Sequence, residues 1–581
     1  MADQLYFSRD TRFFVQFRAT ADNTEDAANL GKGAFWEIPI LDGYSFSQTT
    51  NTSEITLAEM ESTAGISRRG RRMFTDSLAP AEWSFSSYIR PFESTAPSLS
   101  SGVGVKRADS ASEGHGVEEV LWAHMFGADA YTLTGGFTRA ASAVSGPVLT
   151  PKAGSSSDAT MEIVTTESNR SALNSLVFWF LIDTDATNPL VYRLPEAVVN
   201  EVSIDFDVDG IATLNWSGFA KEINDVSDNV CIADGNTSSP SALAGATDRV
   251  DSGGDPVIGD LWINTLNSRS VHWLTAINTS GTHTATQAID EGISSTKNFI
   301  RNRLTSVSIE TADAADKVSG TFPGAIATIS AIDVTNEVIT TSTPHNFKTG
   351  DQVHITGCTG NVDLNGSHKF VRVGDETSTY AGTTNTTTEF ALFDSKVEAE
   401  ALGNAGGLVA IAAGTYNANT GTVANGKYSL TLTGGSFTIS NNVTYLVPEE
   451  LGAINKPLEH VTGTRTATAA ATCYLTLDDA AGEVGLNGTS RQFFTDMVGT
   501  NALAKVVNKF KVTMDVGGSA ACVSTGTDAG FQLILPAAHI EVPTHSIEDI
   551  ISLETNMQAL PTSLGDADEI ETITYFPPSS Y

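Results

Sequence analysis

A short run of turn and strand residues occurs twice in this chain. Leu41-Asp42-Gly43-Tyr44-Ser45-Phe46-Ser47 returns as Leu432-Thr433-Gly434-Gly435-Ser436-Phe437-Thr438, an offset of 391 from position 41 to position 432. Three echoes follow in the same order. Ser87-Tyr88-Ile89 is answered by Cys473-Tyr474-Leu475 (offset 386), Met125-Phe126-Gly127 by Met497-Val498-Gly499 (offset 372), and Leu194-Pro195-Glu196-Ala197 by Leu535-Pro536-Ala537-Ala538 (offset 341). Falling offsets are what two copies give when the first has longer loops between matched elements. Upstream, Phe7-Ser8-Arg9 and Phe299-Ile300-Arg301 stand at offset 292, which places about 100 extra residues ahead of Leu432 in the second copy. One fold used twice, with a guest inserted in the second use, is the reading that fits, and a repeat of this kind decides the whole architecture.

At 581 residues the chain exceeds ordinary single-domain size, so three or four domains are expected. Hydrophobic residues make up 40%, enough for real cores, while charged residues are 17% against about 25% in average proteins. Gly, Thr, Ser, Ala and Asn fill the difference, favouring turns and strand surfaces over solvated helices. With 33 basic and 68 acidic residues the formal charge is −35, which argues against general nucleic-acid affinity, because phosphate binding needs clustered Lys and Arg. Four cysteines (Cys231, Cys358, Cys473, Cys522), none in a C-x-x-C pair, make neither a disulfide framework nor a zinc site. The start lacks a basic, then apolar, leader, and the longest apolar run, Leu176 to Ile182, is too short to span a bilayer. A soluble protein made in a reducing cytoplasm, without membrane contact, is the expectation.

In chain order, Leu5 to Phe17 reads as a strand with Phe13, Val15 and Phe17 on one face and Arg12, Gln16 and Arg18 on the other. Phe35 to Leu41 reads as a second strand and Glu82 to Ile89 as a half-buried third. Between them, a polar excursion from Thr49 ends in Arg68-Arg69-Gly70-Arg71-Arg72, the one dense basic cluster. A solvated loop and a nucleic-acid patch are alternatives, the latter weakened by the absence of interleaved aromatics. The favoured reading is that Arg68, Arg69, Arg71 and Arg72 dock on the acidic surface of another copy, since guanidinium forks pair with carboxylates at two points. Val117 to Phe126 reads as a helix with Glu118 and Glu119 in its first turn and Gly127 as its cap. Leu173 to Ile182 should be a central strand, and Val199 to Trp216 a hairpin turning at Asp209-Gly210. Asp205-Phe206-Asp207-Val208-Asp209-Gly210 imitates a calcium loop, but its twelfth position is Trp216 rather than a two-oxygen carboxylate.

Residues 222–297, rich in Asp, Ser, Thr and Gly, are either a surface excursion or a small decorating subdomain. From 311 to 425 the texture changes to short strands around His345-Asn346-Phe347, Gly350-Asp351, Val353/Ile355 and Leu364-Asn365-Gly366, which fit a small barrel. His345 has no Cys, His or acidic partner at ligand spacing and reads as a turn histidine. The second copy resumes from Tyr428, with a strand from Thr466 to Leu477, a helix from Arg491 to Val498, and strands from Lys509 to Met514 and Phe531 to Leu535. Glu554, Asp566, Asp568, Glu569 and Glu571 give its last segment an acidic rim. The divisions are therefore 1–221, a first module; 222–297; 298–310 with 426–581, a second module; and 311–425, the guest.

No nucleophile elbow, phosphate-binding glycine loop or H-E-x-x-H motif is present, so no enzyme, cofactor or metal is expected. Phe35-Trp36-Glu37-Ile38-Pro39-Ile40-Leu41-Asp42-Gly43-Tyr44-Ser45-Phe46-Ser47, Arg69-Gly70-Arg71-Arg72-Met73-Phe74, Ser77-Leu78-Ala79-Pro80-Ala81-Glu82-Trp83-Ser84-Phe85 and Ile211-Ala212-Thr213-Leu214-Asn215-Trp216-Ser217-Gly218 resemble the tail-tube (major tail) proteins of long-tailed bacteriophages. The 311–425 run resembles small β-barrel modules inserted in phage structural proteins, with Asn346 where those have glycine. The resemblance implies a mainly β fold: two tandem β-sandwich or barrel domains, each with one flanking helix, plus the inserted β module. It also implies rings that stack into a hollow tube for DNA delivery, with three tandem chains giving pseudo-sixfold symmetry. Partners would be further copies of the chain, tape-measure, terminator and baseplate or tip proteins, and passing genomic DNA held without sequence specificity. The place would be the virion tail, assembled in the host cytoplasm. A surface adhesin, or a sheath or baseplate component binding host carbohydrate, is the alternative.

Overall fold

The structure, a computed structural model, describes residues 6–54, 73–94, 113–132, 136–138, 147–152, 160–164, 173–233, 255–311, 327–373, 388–399, 421–448, 456–475, 490–498, 510–562 and 568–578, with short breaks in the loops between strands. The fold is mainly β. In the first half the strands are β1 (Arg12–Phe17), β2 (Ala34–Glu37), β3 (Ser45–Ser47), β4 (Ala81–Tyr88), β5 (Leu176–Ile182), β6 (Leu190–Asp207) and β7 (Thr213–Ala220), with helix α1 (Glu119–Met125) after β4. In the second they are β8 (Ser306–Thr311), β9 (Lys427–Ser440), β10 (Thr466–Tyr474), β11 (Phe510–Val516), β12 (Gly530–Ile540), β13 (Thr544–Ile547) and β14 (Ile551–Leu560), with α2 (Ser490–Val498) after β10. Alternation drives them. Trp83 and Phe85 of β4 face the core while Ser84 and Ser86 face out, and Phe13, Phe85, Phe178 and Phe180 pack ring on ring at centroid distances of 4.6 to 6.2 Å.

The pairing registers of the first half recur in the second. Ser45 of β3 faces Ser84 of β4, and Ser436 of β9 faces Ala470 of β10, which are the same positions at offsets 391 and 386. Leu176 and Phe178 of β5 face Ala197 and Leu194 of β6 across a bulge; Phe510 and Val512 of β11 face Ala538 and Leu535 of β12 across the same bulge. Thr213 of β7 faces Tyr88, and Ser552 of β14 faces Tyr474. A one-residue slip would turn every core side chain outward, so agreement at each ladder means the same faces are buried in both halves. One echo needs correcting. Phe13 of β1 faces Phe180 as Val307 of β8 faces Met514, which gives offset 294 rather than 292, so Phe7 corresponds to Arg301 and not to Phe299.

The first strand also differs from expectation. It starts at Arg12, after a 3-10 turn at Ser8–Asp10, and both its faces are covered: Gln16 and Arg18 are buried along with Phe14. The cover is a four-stranded sheet of Val230–Ala233, Leu261–Asn264, Ser270–Ala276 and Thr284–Gln287. Its Leu261, Ile263, Val271 and Trp273 pack on Phe14, Phe35, Val177, Trp179, Leu181 and Val191. At the matching positions of the second half stand Ser308, Lys511, Thr513, Asp515 and Gln532, a polar face with no apolar side chain for a second sheet to cover, although Thr513 and Asp515 are themselves buried. Segment 222–297 thus clothes one half alone. In the other half a closed six-stranded barrel, Ala327–Asp333, Val338–Thr341, Gln352–Thr356, His368–Val373, Glu389–Phe393 and Thr422–Asn425, departs and returns where Glu310 of β8 faces Lys427 of β9.

Candidate assembly interface

The two halves meet by joining sheets. Glu201 to Asp207 of β6 pair antiparallel with Ser440 to Gly434 of β9. This makes one sheet in the order β3–β4–β7–β6–β9–β10–β14–β13. One face of it is apolar core. The other carries Ser45, Ser47, Ser84, Ser86, Asn215, Ser217, Ser203, Ser436, Thr438, Thr468, Asn556 and Thr544, with the carboxylates Glu82, Glu201, Asp205, Asp207 and Glu554. Residues 201–207 of β6, residues 434–440 of β9 and the whole of β3, β4, β7, β10, β13 and β14 contain no lysine or arginine. Neighbouring polar groups satisfy one another: Ser86 Oγ donates to Asn215 Oδ1 at 2.7 Å, and Asn215 Nδ2 donates to Asp205 Oδ2 at 3.1 Å. The sequence that imitates a calcium loop lies on this flat strand face, with Trp216 turned into the core.

A second contact is made by the strand Thr572–Phe576, which pairs with β12 and also with Thr160–Val164 of the first half. Its Tyr575 enters the first-half core. Trp122 Nε1 of α1 donates to Tyr575 Oη at 2.8 Å, Tyr575 Oη donates to Glu118 Oε2 at 3.1 Å, and the ring packs on Phe531. Burial and the Glu118 carboxylate push the Tyr575 hydroxyl well above its ordinary range, so it stays a donor. Gly116 lies over the ring, where a Cβ would stand 2.8 Å from Tyr575 Cε1. Beside Glu118, Glu119 accepts from Gly116 N and stands 3.1 Å from His115 Nδ1. All seven residues of α1 are buried, and Gly127, at φ +84°, ends it as the sequence suggests. His124 is held neutral, pushed down to about 3 by burial, and its Nε2 accepts from Val199 N at 3.1 Å.

Glu93, on the hairpin of Pro91–Ser94 with Glu113–Gly116, is pushed up to about 7 by burial. The unfolded chain releases this proton near its ordinary value of 4.5 while the folded chain keeps it. Stability therefore falls as pH rises from about 4.5 to about 7, by on the order of 2–3 kcal/mol. Glu93→Gln should flatten that slope in urea titrations run across this range, and an unchanged slope would count against it.

The third contact is a hairpin. Thr444–Leu446 and Glu459–Val461 leave β9 and lie on the first half. Tyr445 Oη donates to Glu196 O, His460 stands 3.2 Å from Leu173 O, and Val443 N donates to Asn200 Oδ1 at 2.7 Å. Val443 and Tyr445 pack with Val198 and Phe219. The corresponding hairpin of the first half, Thr50–Glu54 with Met73–Leu78, has no such seat: Met73 and Phe74 are exposed.

Arg68, Arg69, Arg71 and Arg72 lie outside the described residues. His345 is a buried barrel residue whose Nδ1 accepts from Phe347 N at 2.9 Å, a turn role. The four cysteines are buried and none is in a disulfide. No group of three or more potential metal ligands occurs among the described residues, and no helix among them is long and apolar enough to cross a membrane. The Tyr575 contact escaped sequence reading because Glu118 and Tyr575 are 457 positions apart.

No family model matches the chain. Among curated proteins, tail tube protein pb6 of Escherichia phage T5 is 31% identical over 145 residues, a stretch that is 25% of this chain and 28% of that protein. Over a quarter of its length, then, the chain is similar to a protein that forms the tail tube of a phage.

Proposed function

We propose that this chain is a structural, non-enzymatic tail tube subunit: three copies close into a ring of six modules, and the rings stack into the hollow tube of a phage tail. Residues 1–221 are the first tube module, 298–310 with 426–581 the second, and 311–425 a guest that points away from the bore. The observation that carries this reading is the shared sheet. It joins two register-matched modules side by side, and among the described residues an open strand remains at each end, β3 from one module and β13 from the other. Exposed sheet edges invite pairing, and head-to-tail contacts that close produce rings. The similarity to the T5 tail tube protein supports the same role.

The polar face of that sheet lines the bore. Hydroxyls and amides solvate the wall, and the carboxylates repel phosphate softly, since screening limits their reach to about 8 Å at physiological salt. DNA slides without gripping. Arg68, Arg69, Arg71 and Arg72 serve contact between rings; tape-measure, terminator and baseplate or tip proteins cap the assembly, which forms in the host cytoplasm and ends in the virion.

Negative-stain microscopy of the purified protein tests this directly: hollow tubes or annuli support it, and fibres or persistent monomers overturn it. Replacing the four arginines by Ser should leave annuli that do not stack. Changing Glu82, Glu201, Asp205 and Glu554 together to Lys should leave tubes that retard DNA in a gel, whereas the native tubes do not; equal retardation would contradict the bore assignment.

A further inference from the structure

The junction inside one chain specifies, residue by residue, the junction between chains. This inference rests on the ring reading above and adds its register. Several residues that the internal junction buries have counterparts, at the offsets of the repeat, that one chain leaves exposed or half-buried. Phe206 of β6 is 6% exposed where it faces Gly435 of β9; its counterpart Ile547 of β13 is 80% exposed. Trp122 of α1 is fully buried against Tyr575; its counterpart Phe494 of α2 is half-buried. His460 sits on the first half; its counterpart Met73, which faces Glu54 as His460 faces Tyr445, is 60% exposed. Phe437 of β9 is buried between β6 and β10, while its counterpart Phe46 of β3 is half-buried with a neighbour on one side only.

The pairing positions of β13 carry little that protects them as an edge. Edge strands commonly carry lysine, proline or a bulge against unwanted pairing. Here Thr544–Ile547 itself has none of these, although Pro543 stands just ahead of it, and Val542, Ile547, Ile550 and Ile551 around it are exposed. Within one chain β3 and β13 lie at opposite ends of the shared sheet, so neither can satisfy the other.

We propose that β13 of one chain pairs antiparallel with β3 of the next, Thr544 facing Ser47, His545 facing Phe46, Ser546 facing Ser45 and Ile547 facing Tyr44, while the Thr50–Glu54/Met73–Leu78 hairpin of that next chain folds over the first and buries Met73. The register is that of Ser203 on Thr438, Ile204 on Phe437, Asp205 on Ser436 and Phe206 on Gly435, carried across by the repeat. The hairpin then lies where Tyr445 and Val443 lie inside the chain, and Glu541, the counterpart of Asn200, takes the place of the acceptor that Asn200 offers to Val443 N. The same surface therefore works twice, once covalently tethered and once between free copies.

Paired cysteines test the register. Chains carrying both Ser45→Cys and Ser546→Cys, or both Ser47→Cys and Thr544→Cys, should form interchain disulfides under mild oxidation, in a ladder that stops at three chains. The shifted pair Ser47→Cys with Ser546→Cys should give about tenfold less, because a disulfide needs Cα atoms within about 7 Å. The native cysteines are buried and do not compete. Ile547→Lys, which alters an exposed side chain, should melt as the native chain does yet form no rings. Rings that crosslink best at the shifted pair, or at no pair, overturn this register while leaving the ring reading in place. An absence of any assembly overturns both, and rings formed normally by Ile547→Lys overturn the proposal.

Discussion

Trp122→Ala should destabilise the chain by about 3–5 kcal/mol and separate the unfolding of its two halves. The indole fills the space where the halves meet, edge-on to Trp216 at 5.0 Å and stacked towards Phe531 at 6.4 Å. Its removal opens a cavity lined by groups from distant parts of the sequence, which cannot collapse together without moving the shared sheet. It also takes from Tyr575 Oη the donor that helps hold the Thr572–Phe576 strand in the first half. Urea unfolding followed by fluorescence should show the loss, with two transitions in place of one. Tyr575→Phe is the milder companion: Glu118 loses the Tyr575 donor, at a cost of about 1–3 kcal/mol. A Trp122→Ala chain within 1 kcal/mol of the native one would show that the plug does not couple the halves.

Trp273→Ala should cost a similar amount, about 3–5 kcal/mol, but locally. Trp273 stacks on Phe35 at 3.9 Å, meets Phe14 at 5.2 Å and Trp179 at 5.9 Å, and so ties the four-stranded sheet to β1, β2 and β5. Without it, Phe14, Val177 and Leu181 lose their cover. Hydrogen exchange should rise across 230–287 and along β1 and β5, while β8 and β11, whose matching face carries Ser308, Lys511, Thr513 and Asp515, remain unchanged. Equal acceleration in both halves would mean that the sheet braces the whole molecule rather than one module.

The strands were legible because their signal is local. Trp83-Ser84-Phe85-Ser86 announces a half-buried strand by itself; the echoes at 41, 87 and 194 identify matched positions that the ladders then pair alike, and the echo at 125 falls in both helices. The echo at Phe7 failed by two positions. It rested on a Phe and an Arg ahead of the first strand, where no ladder constrains spacing, whereas the ladder itself aligns Phe13 with Val307. Gln16 looks like part of a solvent face because its partners, Leu30 O, Lys32 O and Trp179 Nε1, lie on other elements, and the sheet that covers Phe14 on the same face comes from residues 230–287. Glu118 and Glu119 read as helix-start charges, and their burial beside Tyr575 and His115 has no sequence signal, since the partner strand arrives at the other end of the chain. The edges β3 and β13 show themselves only when both halves are in place, because an open edge is a property of the sheet and not of the strand.

The most direct measurement is the rotational symmetry of the assembled ring, seen end-on by electron cryomicroscopy. Six modules from three chains should appear as six similar lobes around a bore, alternate lobes bearing the four-stranded sheet and the others the six-stranded barrel, so that sixfold symmetry at the wall becomes threefold at the rim. Six lobes that each bear both decorations, or a particle with no closed wall, would contradict the account.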